Sequence, residues 1–170
     1  MYQKLLTISL FLLLFSAESW AQARVSSDVF AEVIEALTAK ENAHLHFGQF
    51  SPENAGGEIT VTPDGLRMAE GTVILSSGSF SAGQFAVSGL PDANITIQLP
   101  EEPAVLQHER SNHTLLVDDW TADPASGEPV KLQSDGSLLV TIGATLFVGT
   151  QEDNRIGLYQ GTYQVTFAYN

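Results

Sequence analysis

The chain has 170 residues, 20 of them Asp or Glu against 7 Lys or Arg, giving a net charge of -13 with no cysteine. This length fits one domain. The charge repels phosphate backbones and anionic bilayer surfaces alike, and the missing thiols exclude a disulfide framework, thiolate zinc sites and a cysteine nucleophile.

Residues 1–23 read as a secretory signal. Lys4 gives the positive start, Leu5 to Phe15 the apolar run, and Ala21-Gln22-Ala23 the small-x-small cleavage pattern. The run falls short of the roughly 20 residues a membrane span needs, and no later stretch is long enough. An exported protein is expected, in the periplasm, on the cell surface or outside the cell. Residues 24–43 then form an N-terminal strand or donor segment, and residues 44–170 the main domain. Within residues 28–41, Val29, Val33 and Ala36 with Phe30, Ile34 and Leu37 fit a helical stripe. A strand reading places Val29, Ala31, Val33 and Leu37 on one parity, and β-branching tilts the choice towards strand.

Beyond that segment the pattern has period two. Ile59 and Val61, Val73 and Leu75, Phe85 and Val87, and Ile95, Ile97 and Leu99 each alternate with other positions. Leu138, Val140, Ile142, Ala144, Leu146 and Val148 make the longest such row. Turn residues separate the runs at Pro52 to Gly57, Pro63-Asp64-Gly65, Ser76 to Gly83, Pro91-Asp92, Asp123 to Pro129, Ser134-Asp135-Gly136 and Glu152 to Gly157. One apolar face per strand predicts an all-β fold, an antiparallel two-sheet Ig-like sandwich.

The residues offer little for catalysis. His44 and His46 share one strand face, a spacing that metal sites use, with His108 and His113 as further donors. But Leu45 and Phe47 on the opposite parity need the core, which turns the histidines outward. No G-x-S-x-G nucleophile turn occurs. Asp118-Asp119 and Glu101-Glu102 are neighbours whose side chains diverge on a strand. Trp120 with Tyr159 and Tyr163 reads either as a sugar-stacking platform or as core. No enzyme, metal or cofactor is expected.

The ending is more informative. From Gly157 the positions Tyr159, Gly161, Tyr163, Val165, Phe167 and Tyr169 alternate with polar or small residues up to Asn170. An aromatic and β-branched inner face of this length predicts a strand deep within a sheet. Gly157 is fourteenth from the end and Tyr169 penultimate. In this the chain resembles pilus subunits of chaperone–usher systems, in which a Gly opens the last strand and an aromatic stands next to last. The whole pattern more closely resembles an uncharacterised family of secreted bacterial domains of unknown function. That resemblance is carried by Phe47-Gly48, Gly56-Gly57 before Ile59-Thr60-Val61, Gly143-Ala144-Thr145-Leu146, and Gly157, Tyr159, Gly161-Thr162, Val165-Thr166 and Tyr169-Asn170. The family is itself similar to spore-coat-U-like pilins.

The pilin resemblance implies a structural subunit joined by β-strand addition. Homo-oligomer or sibling subunits are the partners it implies, with a periplasmic chaperone and usher. The strand-addition residues are then Val29, Ala31 and Val33 on the donor, and Gly157, Tyr159, Tyr163, Val165, Phe167 and Tyr169 on the acceptor. The chain departs from such pilins in lacking a disulfide and in having Ala31, not Gly, at the centre of the donor. Some five inward positions left open would forfeit on the order of 8–15 kcal/mol at roughly 1.5–3 kcal/mol each. That rivals the whole net stability of a domain, about 5–15 kcal/mol. The companion is then the chain's own front end, reached across residues 38–43, or that of another molecule. The alternative is a self-completed monomer that binds carbohydrate or host protein through loops 76–83 and 123–129.

Overall fold

Alternation fixes which side of each strand is buried, and the partners follow from where those sides meet. In the computed structural model, which describes residues 26–170, there are eleven strands and no helix among the described residues. They are β1 Thr38–Ala43, β2 Phe50–Val61, β3 Arg67–Leu75, β4 Gly83–Ser88, β5 Asn94–Gln98, β6 Ala104–His108, β7 Thr114–Asp123, β8 Val130–Lys131, β9 Ser137–Val148, β10 Tyr159–Gln160 and β11 Thr166–Tyr169. All pairings are antiparallel, in an eight-stranded and a three-stranded sheet. The signal-like residues 1–23 lie outside the described residues.

β9 organises the large sheet. Its first half pairs with β4 and its second half with β2, while β7 runs along its other side. β1 extends the sheet beyond β4, β3 lies beyond β2, and β6 and β10 lie beyond β7. The small sheet has the order β11-β5-β8.

Two apolar clusters result. The first joins Ile59 and Val61 of β2, Leu115 and Val117 of β7, and Ala144, Leu146 and Val148 of β9. Residues from the strands on both sides of β9 thus meet in one core. The second lies between the sheets. It joins Val87 of β4 and Val140 and Ile142 of β9 to Ile95 and Ile97 of β5 and Leu132. Trp120 packs against both clusters. The two-sheet, all-β expectation holds, and the predicted inward row Leu138 to Val148 faces the cores.

Three segments differ from expectation. Pro52 to Gly57 is not a turn but a bulged stretch of β2, where the register against β3 slips. Gly56, at φ +67°, supplies the left-handed residue; a Cβ there would stand 2.4 Å from the Val148 carbonyl oxygen. Residues 26–37 form neither helix nor strand. Pairing begins only at Thr38, where β1 docks on β4. Residues 38–43 are therefore part of the sandwich and no free connector. Their alternation is weak because β1 is almost wholly exposed.

Ile97 is fully buried and faces β11, whereas Leu139 is half exposed on the outer side of β9. Replacing Ile97 by Ala is expected to cost about 2–5 kcal/mol in chemical denaturation. Leu139→Ala is expected to stay within about 0.5 kcal/mol.

Candidate functional site: the open edge of the C-terminal segment

The C-terminal segment does not sit inside a sheet as its alternation suggests. It starts beside β6, where Tyr159 and Gln160 pair with His108 and Gln107. It then crosses over and ends beside β5, with Thr166 to Tyr169 paired to Gln98 to Ile95. Among the described residues, 161–165 are in no ladder and β11 pairs with β5 alone. This is an edge. The physical reason is simple: one-sided burial gives the same period-two signature whether a strand has one ladder neighbour or two.

Gly157 and Tyr159 anchor the start. His108 is 5% exposed, its Nε2 lies 3.1 Å from the Ile156 carbonyl oxygen, and its Nδ1 accepts from the Arg110 amide. A Cβ at Gly157 would lie 2.2 Å from that Nε2, so the side chain of His108 claims the space. Tyr159 meets the His108 ring edge-on at 5.0 Å and belongs to the first cluster. Tyr163, Val165, Phe167 and Tyr169 pack instead against the second cluster. The expected single ridge is thus divided between two cores.

The floor under the later ridge is Phe85 and Trp120. Phe85 meets Tyr163 edge-on at 6.2 Å and Phe167 at 6.0 Å. Trp120 stacks on Tyr163 at 4.8 Å and 26°, which assigns this pair to the core, while Tyr159 stands apart from it. Each of the last two tyrosines on the ridge drops its hydroxyl onto a glycine. A Cβ at Gly83 would lie 2.3 Å from the Tyr163 hydroxyl, and one at Gly89 2.2 Å from that of Tyr169. The two tyrosines are six residues apart, as are the two glycines. That shared spacing is a sequence signal, invisible until β4 is known to face the C-terminal segment.

The two hydroxyls differ chemically. That of Tyr169 donates to the Glu35 carbonyl at 3.0 Å and accepts from the Leu90 amide at 2.7 Å. That of Tyr163 is buried without a partner among the described residues, as is the Trp120 Nε1. Burial, and secondarily the Glu41 carboxylate on β1, pushes the Tyr163 phenol up to about 12. Because the ridge packs on this floor, its side chains are half buried. What lies open is the backbone edge beside them. A shallow depression of about 520 Å³ lies where the segment crosses between sheets, lined by residues 98–104, 162–164 and 166.

The expected donor residues are exposed. Val29 and Val33 are 92% and 97% exposed, and Ala31 is exposed. His44 and His46 point outward, as expected, with His44 Nδ1 3.0 Å from Glu41 and His46 Nδ1 accepting from the Gly48 amide. Among the described residues no three His, Asp or Glu side chains gather as a cation site. No helix among them is long and apolar enough to cross a membrane.

Gly83→Ala is expected to destabilise the protein by overpacking on the Tyr163 hydroxyl, typically about 1–3 kcal/mol. Tyr163→Phe alone is expected to be neutral or stabilising, since it removes an unpartnered buried hydroxyl. The double variant should then recover most of the loss, which a denaturation cycle over the four proteins reads directly. The same phenol predicts an alkaline dependence. The folded state keeps its proton above the ordinary value of 10, so stability present below pH 10 falls as pH rises from 10 towards about 12. Spectroscopic titration of unfolding should show this component in the native sequence and lose it in Tyr163→Phe.

No curated protein and no solved structure matches the chain. Residues 37–169 match the family DUF4402, described as a domain of unknown function. That match spans every strand from β1 to β11, and the chain belongs to the DUF4402 family.

Proposed function

We propose that the protein is an exported structural subunit of a surface assembly, joined to its neighbours by β-strand addition along the open edge of its C-terminal segment. The observation that carries this reading is the pairing of two incomplete parts in one chain. One is a backbone edge above a half-buried aromatic ridge, running from residue 161 to Tyr169 with no ladder to the described residues on its outer side. The other is the stretch 26–33, whose Val29, Phe30 and Val33 are almost fully exposed. An added strand gains main-chain hydrogen bonds from the edge and side-chain contacts from the ridge.

The chemistry of the two edges supports the choice. Natural sheets guard exposed edges with charge. β1, at the border of the large sheet, carries Lys40 and Glu41. Gln160, Thr162, Gln164 and Thr166, which alternate with the ridge, are all uncharged. The signal-like leader 1–23 supports export, and the absence of cysteine leaves strand exchange, rather than disulfides, to join subunits. The resemblance of the ending to pilus subunits points to the same mode of assembly.

Deleting residues 26–33 tests the reading, because residues 34–37, which include the core-packed Leu37, remain. The shortened protein is expected to stay folded and monomeric, while the full chain forms concentration-dependent oligomers that resist cold detergent. A full chain that sediments as a monomer at every concentration, with stability equal to that of the shortened one, would remove the proposal.

A further inference from the structure

The groove beside the ridge has a direction, and the chain enters it at a fixed end. β1 runs from Thr38 beside Ser88 to Ala43 beside Gln84. The ridge runs the opposite way, with Tyr163 over Gly83 and Tyr169 over Gly89. The polypeptide that leads into β1 therefore arrives at the Tyr169 end. Filling its own groove would require residues 26–33 to lie beside the ridge and the chain to reverse over residues 34–37.

Four residues are enough for such a reversal, but their chemistry opposes it. Ile34-Glu35-Ala36-Leu37 contains none of Gly, Pro, Asn, Asp or Ser, the residues that relieve tight turns. Leu37 is packed against the second core. The Glu35 carbonyl accepts the Tyr169 hydroxyl, which is itself fixed by the Leu90 amide. The closure at Gly89 leaves no room for that hydroxyl to move inward.

We infer that Tyr169 is a latch: it pins the root of the N-terminal segment, prevents the chain from completing its own edge, and so assigns that edge to residues 26–33 of a second copy. The inference rests on the strand-addition reading above and adds to it the residue that directs this donor to a second copy and not to its own edge. Tyr169 acts here as a positioning residue, through the Glu35 backbone.

A cysteine-free chain allows a direct test. Full-length protein carrying Ala31→Cys and Gln164→Cys is treated with a short bismaleimide, which tolerates a shift of one register. Cross-linked monomer and cross-linked multimers are then separated on denaturing gels. With Tyr169 intact, multimers are expected to dominate. Tyr169→Phe should raise the ratio of monomer to multimer product about fivefold, the weight of one ordinary hydrogen bond. Glu35→Asn with Ala36→Gly, which installs an Asn-Gly turn and leaves the core untouched, should move the ratio the same way even where Tyr169→Phe fails to fold. Cross-linked monomer dominating with Tyr169 intact overturns the latch and leaves strand addition standing. So does a ratio that the folded variants leave unchanged. Absence of any cross-link in every folded protein overturns strand addition itself.

Discussion

One-sided burial of the C-terminal segment is the constraint on which the rest of the molecule depends. The segment touches both cores, with Tyr159 in the first and Tyr163 to Tyr169 in the second. It is also tied to both sheets, through β6 and then β5. Its ladder partner changes midway, and residues 161–165, where it crosses from one sheet to the other, belong to neither ladder. Among the described residues no strand pairs with the outer side of β11.

The sandwich compensates for this edge from below. Phe85 and Trp120 take up the aromatic ridge, and two glycines of β4 and its exit let the tyrosine hydroxyls reach the sheet. The penalty foreseen for an empty groove is therefore largely met within the chain itself. What remains unsatisfied is mainly backbone, a deficit that another strand relieves better than a small ligand does. Two buried polar atoms without partners among the described residues, on Trp120 and Tyr163, sit in this same layer.

Reading the candidate site from sequence succeeded for side-chain direction and failed for neighbours. Phe47 inward with His44 and His46 outward, the row from Leu138 to Val148, and the inward faces of Tyr163, Val165, Phe167 and Tyr169 all follow from parity. Strands β6, β7 and β8 and the bulged start of β2 are not legible in the repeat, since few alternating residues, a slip of register between Asp118 and Thr121, or a run of Pro and Gly conceal them. Helix and strand both fitted residues 28–41 because their apolar residues are dense enough for either period. In the structure residues 28–37 adopt neither, and the apolar side chains before Leu37 are exposed and lack the packing that would choose between the two.

The order of residues by itself determined the all-β class, the face that β4, β5 and β9 bury and the polarity of the C-terminal ridge, because these depend on the local two-residue repeat and on turn residues. Only the tertiary structure decided that the last segment is an edge, that β1 closes the large sheet, that Tyr159 parts from its neighbours, and that Tyr169 holds the Glu35 carbonyl. Those facts depend on contacts between residues up to 134 positions apart. A local repeat records which way a side chain points and carries no information on what stands opposite.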